Sequence, residues 1–292
     1  YASPLLYKEN GFKEKVHAEK LIEDLTNKTA IVKTVDKGIS KKRAPLLFNL
    51  AELQAECSKR FKISPDETLQ VAQDLYERKL TTYPRTDARV LSSAVAKEIS
   101  KNIRGLRSFE PVAPYVQNIV EHGLYKNIGK SSYTDDSKIT DHYAIIPTGQ
   151  VNEYKSLTEL QKRVYELIVR RFLSIFYPPA QYQTVKLTIG IEKESFFAGA
   201  KVLKVPGYLE IAGRPDTKEK REKEDGDGEE NNPKNSAALL KLADSLKEGD
   251  TAEVKEFLVK EGKTSPPKRY TSGSMVLAME NAGQLIEEEE LR

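Results

Sequence analysis

The sequence predicts an α+β fold in which an all-α domain is inserted into a β-rich domain. The spacing of apolar residues changes along the chain from period two to period 3.6 and then back to period two. Helix-starting signals, in which a small polar residue precedes a Glu by three positions, are concentrated in the middle of the chain. Insertion of a helical domain between two β-rich stretches explains both observations with one chain path.

The first stretch predicts one helix and one strand. Val16 to Leu25 carries apolar residues at helical spacing, and Thr29 to Val35 is rich in β-branched residues. Pro45 removes a backbone donor and restricts the residue before it, so the strand pattern ends there.

The central stretch predicts a succession of helices. Its predicted capping boxes are Asn49-Leu50-Ala51-Glu52, Ser64-Pro65-Asp66-Glu67 and Ser156-Leu157-Thr158-Glu159. The Ser64 helix is expected to end near Lys79. Further helices are predicted from Ser92 or Ser93 and over Pro114 to Glu121, and Pro178-Pro179 is expected to stop the last one.

After Pro179 the period of two returns. Predicted strands cover 181–189, 194–202, 207–211 and 251–259, and a last helix covers Ser274 to Ala282. The predicted domains are 1–46 (β-rich, first part), 47–176 (helical), 177–262 (β-rich, second part, with a mobile acidic loop over 214–235) and 263–292 (start of a further helical domain).

Composition restricts the class of protein. The net charge is +3, yet Lys41 to Arg107 holds 14 Lys and Arg residues against 8 Asp and Glu residues, which suits contact with a phosphate backbone. No apolar run is long enough for a membrane span. The single cysteine, Cys57, excludes an internal disulfide and fits a cytoplasmic protein.

The most informative residues lie between the Ser64 and Ser92 helices, in Leu80 to Asp87. Pro84 pushes Tyr83 out of helical geometry, and Arg85 offers a charged planar fork two residues later. In an extended segment Tyr83, Arg85 and Asp87 share a face, so the tyrosine and the arginine can address one phosphate while Asp87 holds the arginine. A packed tyrosine beside a surface Arg–Asp pair explains the spacing equally well.

Four motifs, in order, resemble those of type IA DNA topoisomerases of the bacterial topoisomerase III kind. Leu80 to Asp87 resembles the nucleophile motif of that family. The other three motifs are Arg43 to Gln54, Asp141 to Thr148, and Pro267 to Thr271 continuing with Met275 to Gly283. These motifs span nearly the whole chain. The chain therefore resembles a central fragment of such an enzyme, with the catalytic tyrosine but without the N-terminal Toprim domain.

The resemblance implies a function and a site. Tyr83 would attack one DNA strand and hold its 5′ end as a phosphotyrosine, with Arg85 and His142 as the other catalytic residues. A second strand would pass before resealing, without ATP. The residues that the resemblance implies for DNA contact are Gln54, Thr86, Asp87, Arg89 and Asp141. The two β-rich parts would form the arch of the enzyme, a bacterial, cytoplasmic and monomeric protein whose partner is single-stranded DNA.

The family also uses Mg²⁺, bound by acidic residues of the N-terminal domain. The Asp-x-Asp-x-Glu spacing occurs here at Asp225, Asp227 and Glu229, within the predicted mobile acidic loop, so we expect no metal ligands here and an inactive fragment. Two other classes stay open. A tyrosine recombinase would place its tyrosine late in the chain, and a noncatalytic single-strand-binding module would use interleaved aromatic residues.

Overall fold

The computed structural model describes residues 11–213, 233–263 and 266–282, and within them the chain has the α+β fold. The described residues form two compact units. One contains 11–42, 180–206 and 233–263, and the other contains 43–179, 207–213 and 267–282. The chain thus leaves the sheet-containing unit after Lys42 and re-enters it at Ala180.

The sheet unit is a four-stranded antiparallel sheet with two helices. Its elements are α1 (Lys15–Leu25), β1 (Ala30–Lys42), β2 (Ala180–Ile191), β3 (Glu194–Val205), α9 (Pro233–Ser245) and β4 (Thr251–Ala252). The strand order is β3-β2-β1-β4. Leu240 and Ala243 of α9 pack on Val185 and Ala200, so α9 covers part of one face of the sheet.

The helical unit has its core around a long helix. Its helices are α2 (Leu50–Phe61), α3 (Pro65–Glu77), α4 (Ser93–Glu98), α5 (Ser100–Gly105), α6 (Ala113–Glu121), α7 (Glu159–Ser174), α8 (Leu209–Ala212) and α10 (Ser272–Glu280). Val164, Ile168 and Phe172 of α7 are fully buried, and they follow one another at helical spacing. Helix α10 packs on α2, so residues 267–282 belong to this unit.

The predicted starts of the first helices are confirmed. Asn49 accepts a hydrogen bond from the Glu52 amide, Ser64 from the Glu67 amide, and Ser92 from the Val95 amide. These bonds join residues three positions apart, so local sequence suffices to predict them.

Three other predictions of secondary structure are wrong, and a fourth lies largely outside the described residues. The cap of α7 is Thr158, paired with Gln161, and not Ser156, which ends a 3-10 turn. Residues 207–211 form a turn and helix α8 and no strand, because Tyr208 and Ile211 are buried at helical spacing. The strand at 251–259 covers Thr251–Ala252 alone, since β1 begins at Ala30 and offers no further partner. The loop predicted over 214–235 lies outside the described residues up to 232, and helix α9 begins at Pro233.

Candidate active site

The segment that carries Tyr83 begins where α3 ends. Lys79 takes a left-handed backbone conformation (φ 59°), and the Leu80 amide donates to the Leu75 carbonyl at 2.9 Å. This geometry turns the chain away from the helix axis, as a left-handed residue after a helix commonly does. The next two residues, Leu80 and Thr81, are buried in the helical unit.

Two of the predicted motifs lie side by side. The Thr82 amide donates to the Ile146 carbonyl at 2.9 Å, and the Ile146 amide donates to the Thr82 hydroxyl at 3.0 Å. That hydroxyl in turn donates to the Ala144 carbonyl at 3.0 Å. These hydrogen bonds hold two segments side by side that are far apart in the chain, namely 80–87 and 141–148.

Tyr83 is half-buried between two other rings. Its ring centroid lies 4.5 Å from that of His142, with an angle of 44° between the planes, and 5.4 Å from that of Tyr76 in an edge-on arrangement. Within the part of the chain that the structure describes, the Tyr83 hydroxyl has no hydrogen-bond partner. The rings fix the tyrosine while its oxygen is not committed to another protein group.

His142 is positioned through its backbone. The buried Thr86 hydroxyl donates to the His142 carbonyl at 2.8 Å and accepts from the Ala88 amide at 3.1 Å. The Thr86 carbonyl accepts from the Leu50 amide at 3.1 Å, at the start of α2. Thr86 therefore joins the Tyr83 segment, the His142 segment and helix α2.

An open cavity of about 500 Å³ lies beside these residues in the helical unit. Its lining consists of Leu50, Ala51, Gln54, Arg85, Thr86, Asp87, Thr140, Asp141, His142 and Glu280. Six of the eight predicted site residues are in this lining, and Tyr83 contacts it through His142. Arg89 is the predicted residue that lies elsewhere.

The charge of the lining is mixed. Arg85 is its one guanidinium, whereas Asp87, Asp141 and Glu280 are carboxylates. Arg85 is exposed and makes no ion pair with any described residue. A phosphate is therefore attracted to Arg85 in particular and not to the cavity as a whole, because the carboxylates repel it.

Asp87 does not hold Arg85, contrary to the sequence prediction. Its carboxylate accepts from the Thr140 hydroxyl at 3.4 Å. The prediction assumed an extended segment, but the Thr86 amide donates to the Pro84 carbonyl at 3.1 Å, which makes a tight turn at Arg85. The exposure still alternates, since Pro84 and Thr86 are buried and Arg85 and Asp87 are exposed.

Two predicted DNA-contacting residues are engaged by the protein itself. The Arg89 guanidinium lies 2.7 Å from the Glu52 carboxylate and donates to the Leu47 carbonyl at 3.3 Å. Gln54 is buried and donates to the Pro65 carbonyl at 3.0 Å, which ties α2 to the start of α3. Arg89 supports the start of α2, whereas Gln54 still reaches the cavity.

Sequence reasoning missed Glu280 and Asn49. The Asn49 side chain caps α2 through its oxygen, and its nitrogen donates to the Asp87 carbonyl at 3.1 Å and to the Glu280 carboxylate. The capping box identified Asn49 only as a helix start. Glu280 reaches the cavity because α10 packs on α2, and no local pattern announces that packing.

Buried groups behind the cavity support its walls. The Arg171 guanidinium lies 4.0 Å from the ring centroid of Phe48 and donates to the Leu46 carbonyl at 2.9 Å. Burial lowers the pKa of Arg171 to about 10, an effect that Glu56 and Glu52 oppose. The Ile145 amide donates to the Phe48 carbonyl at 2.8 Å. The contact between Arg171 and Phe48 therefore supports the backbone of the segment that contains His142.

The described residues do not fit a Mg²⁺ site. They contain no group of three or more His, Cys, Asp or Glu side chains that could hold a metal ion. Also among the described residues, no helix has the length and apolar character needed to cross a membrane.

Comparison with known proteins decides the family. A family model described as DNA topoisomerase matches residues 5–284 of the chain. The chain belongs to the DNA topoisomerase family.

Its similarity to type IA, topoisomerase III-like members of that family is confirmed by curated relatives. DNA topoisomerase 3 of Bacillus subtilis (strain 168) is 35% identical over 272 residues, which cover 93% of this chain and 35% of that protein. DNA topoisomerase 3 of Bacillus licheniformis is 36% identical over 267 residues, which cover 91% of this chain and 34% of that protein. The chain thus spans about a third of the length of these relatives.

A solved structure agrees with the fold. Full-length topoisomerase I from Thermotoga maritima matches with a TM-score of 0.60 at 25% identity, over 94% of this chain and 41% of that chain. The α+β architecture of the chain is therefore that of a DNA topoisomerase.

Proposed function

We propose that this part of the topoisomerase supplies the nucleophile that opens and reseals one DNA strand. The observation that carries the proposal is the contact between the Tyr83 and His142 rings beside a cavity lined by Arg85, which pairs with no described acid. A tyrosine hydroxyl without a partner among the described residues, a cation for a phosphate and an exposed imidazole are the groups that attack on a phosphodiester needs.

In the proposed step the Tyr83 oxygen attacks the phosphorus of a single DNA strand. A bond forms between that oxygen and phosphorus, the bond from phosphorus to the 3′ oxygen breaks, and the phenol proton leaves while the 3′ oxygen takes up a proton. Arg85 attracts the phosphate and stabilises the charge that develops on it. His142 makes hydrogen bonds near the same phosphate. The reverse step restores the strand and the phenol without a nucleotide cofactor, because one phosphoester replaces another.

The polarity of attachment can be tested with end-labelled oligonucleotides and the full-length protein. A 5′-phosphotyrosine retains the downstream piece of the strand, so a 3′-end label should remain with the denatured protein and a 5′-end label should be released. Tyr83→Phe should abolish the adduct and leave single-strand binding largely unchanged, because it removes one oxygen and keeps the ring contacts.

Tyr76→Phe is the matched control. Tyr76 touches Tyr83 edge-on, so the same oxygen is removed from the same ring cluster. An adduct that survives Tyr83→Phe, or that Tyr76→Phe abolishes equally, would contradict the proposal. Binding without any adduct in the unmodified full-length protein would instead support a noncatalytic single-strand-binding module.

We also propose that these 292 residues alone do not relax DNA. The support is that the chain spans about a third of the length of its curated relatives. Relaxation of supercoiled plasmid, with and without Mg²⁺, tests this. Relaxation by the purified 292-residue chain would overturn the proposal, and its recovery in the full-length protein would support it.

A further inference from the structure

The two faces of the sheet in the other unit are not alike. In an antiparallel sheet, residues directly opposite one another on neighbouring strands share a face. Val185 lies opposite Ala200, and both pack against α9. Ile191 lies on the same face of β2 and packs against Leu25 of α1. Helices α1 and α9 therefore cover one and the same face of the sheet.

The opposite face, here named the open face, consists of four rows across β1, β2 and β3. The rows are Thr34–Thr188–Phe197, Asp36–Lys186–Gly199, Gly38–Thr184–Lys201 and Ser40–Tyr182–Leu203. None of these residues is buried. Each row lies about 7 Å from the next, since two residues of a strand separate them.

Aromatic rings stand at the two ends of the open face and lysines lie between them. Phe197 in the first row is 54% exposed, an unusual fraction for a phenylalanine. Tyr182 in the last row lies under the Lys201 ammonium, with 4.7 Å between that nitrogen and the ring centroid. Lys186 occupies the second row, so the order along the sheet is ring, cation, cation, ring.

The middle of the open face is low and polar. Gly38 and Gly199 have no side chain. The Thr184 hydroxyl donates a hydrogen bond to the Gly38 carbonyl at 3.2 Å, so this side chain does not project from the sheet. Next to the first row, Lys33 lies over Gly190, and its ammonium donates to the Ser195 hydroxyl at 3.2 Å. A flexible polymer can therefore lie across these rows without a bulky side chain in its path.

The charge of the open face selects the partner. Lys33, Lys186 and Lys201 are exposed cations, and Asp36 is the exposed carboxylate of the same rows. This excess of positive charge complements a phosphate backbone. The exposed Phe197 ring and the half-buried Tyr182 ring offer stacking surfaces to bases, and bases present their faces only when the strand is single. A helix of a partner protein would need a continuous apolar stripe, which these rows do not provide.

We propose that the open face is a second binding surface for single-stranded DNA, in which bases stack on Phe197 and Tyr182 while Lys186 and Lys201 contact the phosphates between them. This surface is independent of the cleavage step, because none of its residues belongs to the Tyr83 cavity. It gives the topoisomerase a contact for a strand that is not being cut.

Photocross-linking tests the surface directly. The full chain is saturated with single-stranded DNA that carries 5-iodouracil and is irradiated, and the cross-linked peptides are identified by mass spectrometry. Cross-links at Tyr182 or Phe197 support the proposal. Cross-links confined to peptides outside residues 180–205 overturn it.

Binding measurements give the energetic test. Phe197→Ala and Tyr182→Ala should each weaken binding of a fluorescent oligothymidylate by about tenfold. The double variant Lys186→Ala/Lys201→Ala should make the salt dependence shallower, by about 0.7 in the log–log slope for each phosphate that the two lysines no longer neutralise. Duplex DNA of the same length should compete poorly, and equal competition by duplex would overturn base stacking.

Helix α9 provides matched controls. Leu242 is 52% exposed and Lys241 is exposed, and neither lies on the open face. Leu242→Ala and Lys241→Ala should leave affinity and salt slope unchanged. If Phe197→Ala binds as Leu242→Ala does, the proposal fails. Because the readouts are affinity and cross-links, absence of a Tyr83 adduct would defeat the cleavage mechanism and leave this result standing.

Discussion

The hydroxyl of Thr86 donates a hydrogen bond of 2.8 Å to the main-chain carbonyl of His142, a residue 56 positions away. This bond joins the segment that carries Tyr83 to the segment that carries the imidazole. Together with the Thr82 hydrogen bonds to Ile146 and Ala144, it holds the backbone from which the Tyr83 and His142 rings project, and that backbone is irregular at both residues.

Thr86→Val should therefore destabilise the helical unit and loosen the site. The substitution keeps the shape but leaves the His142 carbonyl and the Ala88 amide without their partner, which costs about 1–3 kcal/mol for buried groups. Urea unfolding measures this cost, and adduct formation by the full-length protein should fall with it. The control is Thr140→Val, an exposed threonine at 3.4 Å from Asp87, which should change stability by less than about 0.5 kcal/mol.

Arg85→Lys should reduce formation of the covalent adduct by about 100-fold in the full-length protein, as removal of a group that stabilises developing charge does. An ammonium keeps the charge but cannot place two parallel donors on one phosphate. The rate of adduct formation on a labelled oligonucleotide is the measurement. Arg107→Lys is the control, since Arg107 is exposed and lies outside the cavity. Equal rates in both variants would exclude a phosphate-binding role for Arg85.

Cys57 should make the protein less stable at alkaline pH. Burial raises the pKa of its thiol from 9.0 to about 12, against a smaller lowering by the hydrogen bond with Thr68. The folded state therefore holds its proton more tightly than the unfolded state, so this contribution is fully present below about pH 9 and is lost as the pH rises toward 12. The expected decline is about 1.4 kcal/mol per pH unit in that window.

Urea unfolding across this pH range, with Cys57→Ala as the comparison, isolates the thiol. The variant should be less stable at neutral pH but should show a shallower alkaline decline. Burial also raises the pKa of Tyr165, and that contribution remains in both proteins. Identical slopes in the two proteins would contradict the assignment to Cys57.

Gly105→Ala should destabilise the protein by about 1–3 kcal/mol, as overpacking of a tight contact does. A Cβ at Gly105 would lie 2.2 Å from the Gly149 carbonyl oxygen, and that atom belongs to backbone that cannot move aside cheaply. Gly129→Ala is the control, because its Cβ would meet nothing closer than 4.0 Å. Thermal unfolding should separate the two variants, and equal melting temperatures would show that the Gly149 segment yields.

Much of the helical unit was predictable because its signals are local. The caps of α2, α3 and α4 join residues three apart, so they appear in any window of four residues. For α7 the sequence offers two capping boxes, Ser156 with Glu159 and Thr158 with Gln161, and the predicted cap at Ser156 lies two residues before the observed one. The partner that decides is Gln161, whose side chain completes the box with Thr158.

Strand predictions were weaker where pairing decides the outcome. The apolar residues at 207–211 suit a strand or a helix, and the short run does not distinguish them by period. Contact with the end of α7 decides, since the Tyr208 amide donates to the Pro178 carbonyl at 3.0 Å and the Ile211 carbonyl accepts from Arg170. Such partners lie about 30 to 40 residues away in the chain.

The sequence by itself determined the fold class, the starts of α2, α3 and α4 and the resemblance to the family, because these rest on residue order within short windows and on motifs. Tertiary structure alone decided which side chains meet. It placed the His142 ring 4.5 Å from Tyr83, paired Asp87 with Thr140 instead of Arg85, engaged Arg89 with Glu52 and brought Glu280 to Asn49. Each of these contacts depends on how helices and irregular segments pack against one another. That packing is determined by the burial of many side chains together, so it cannot be predicted from the two residues in contact.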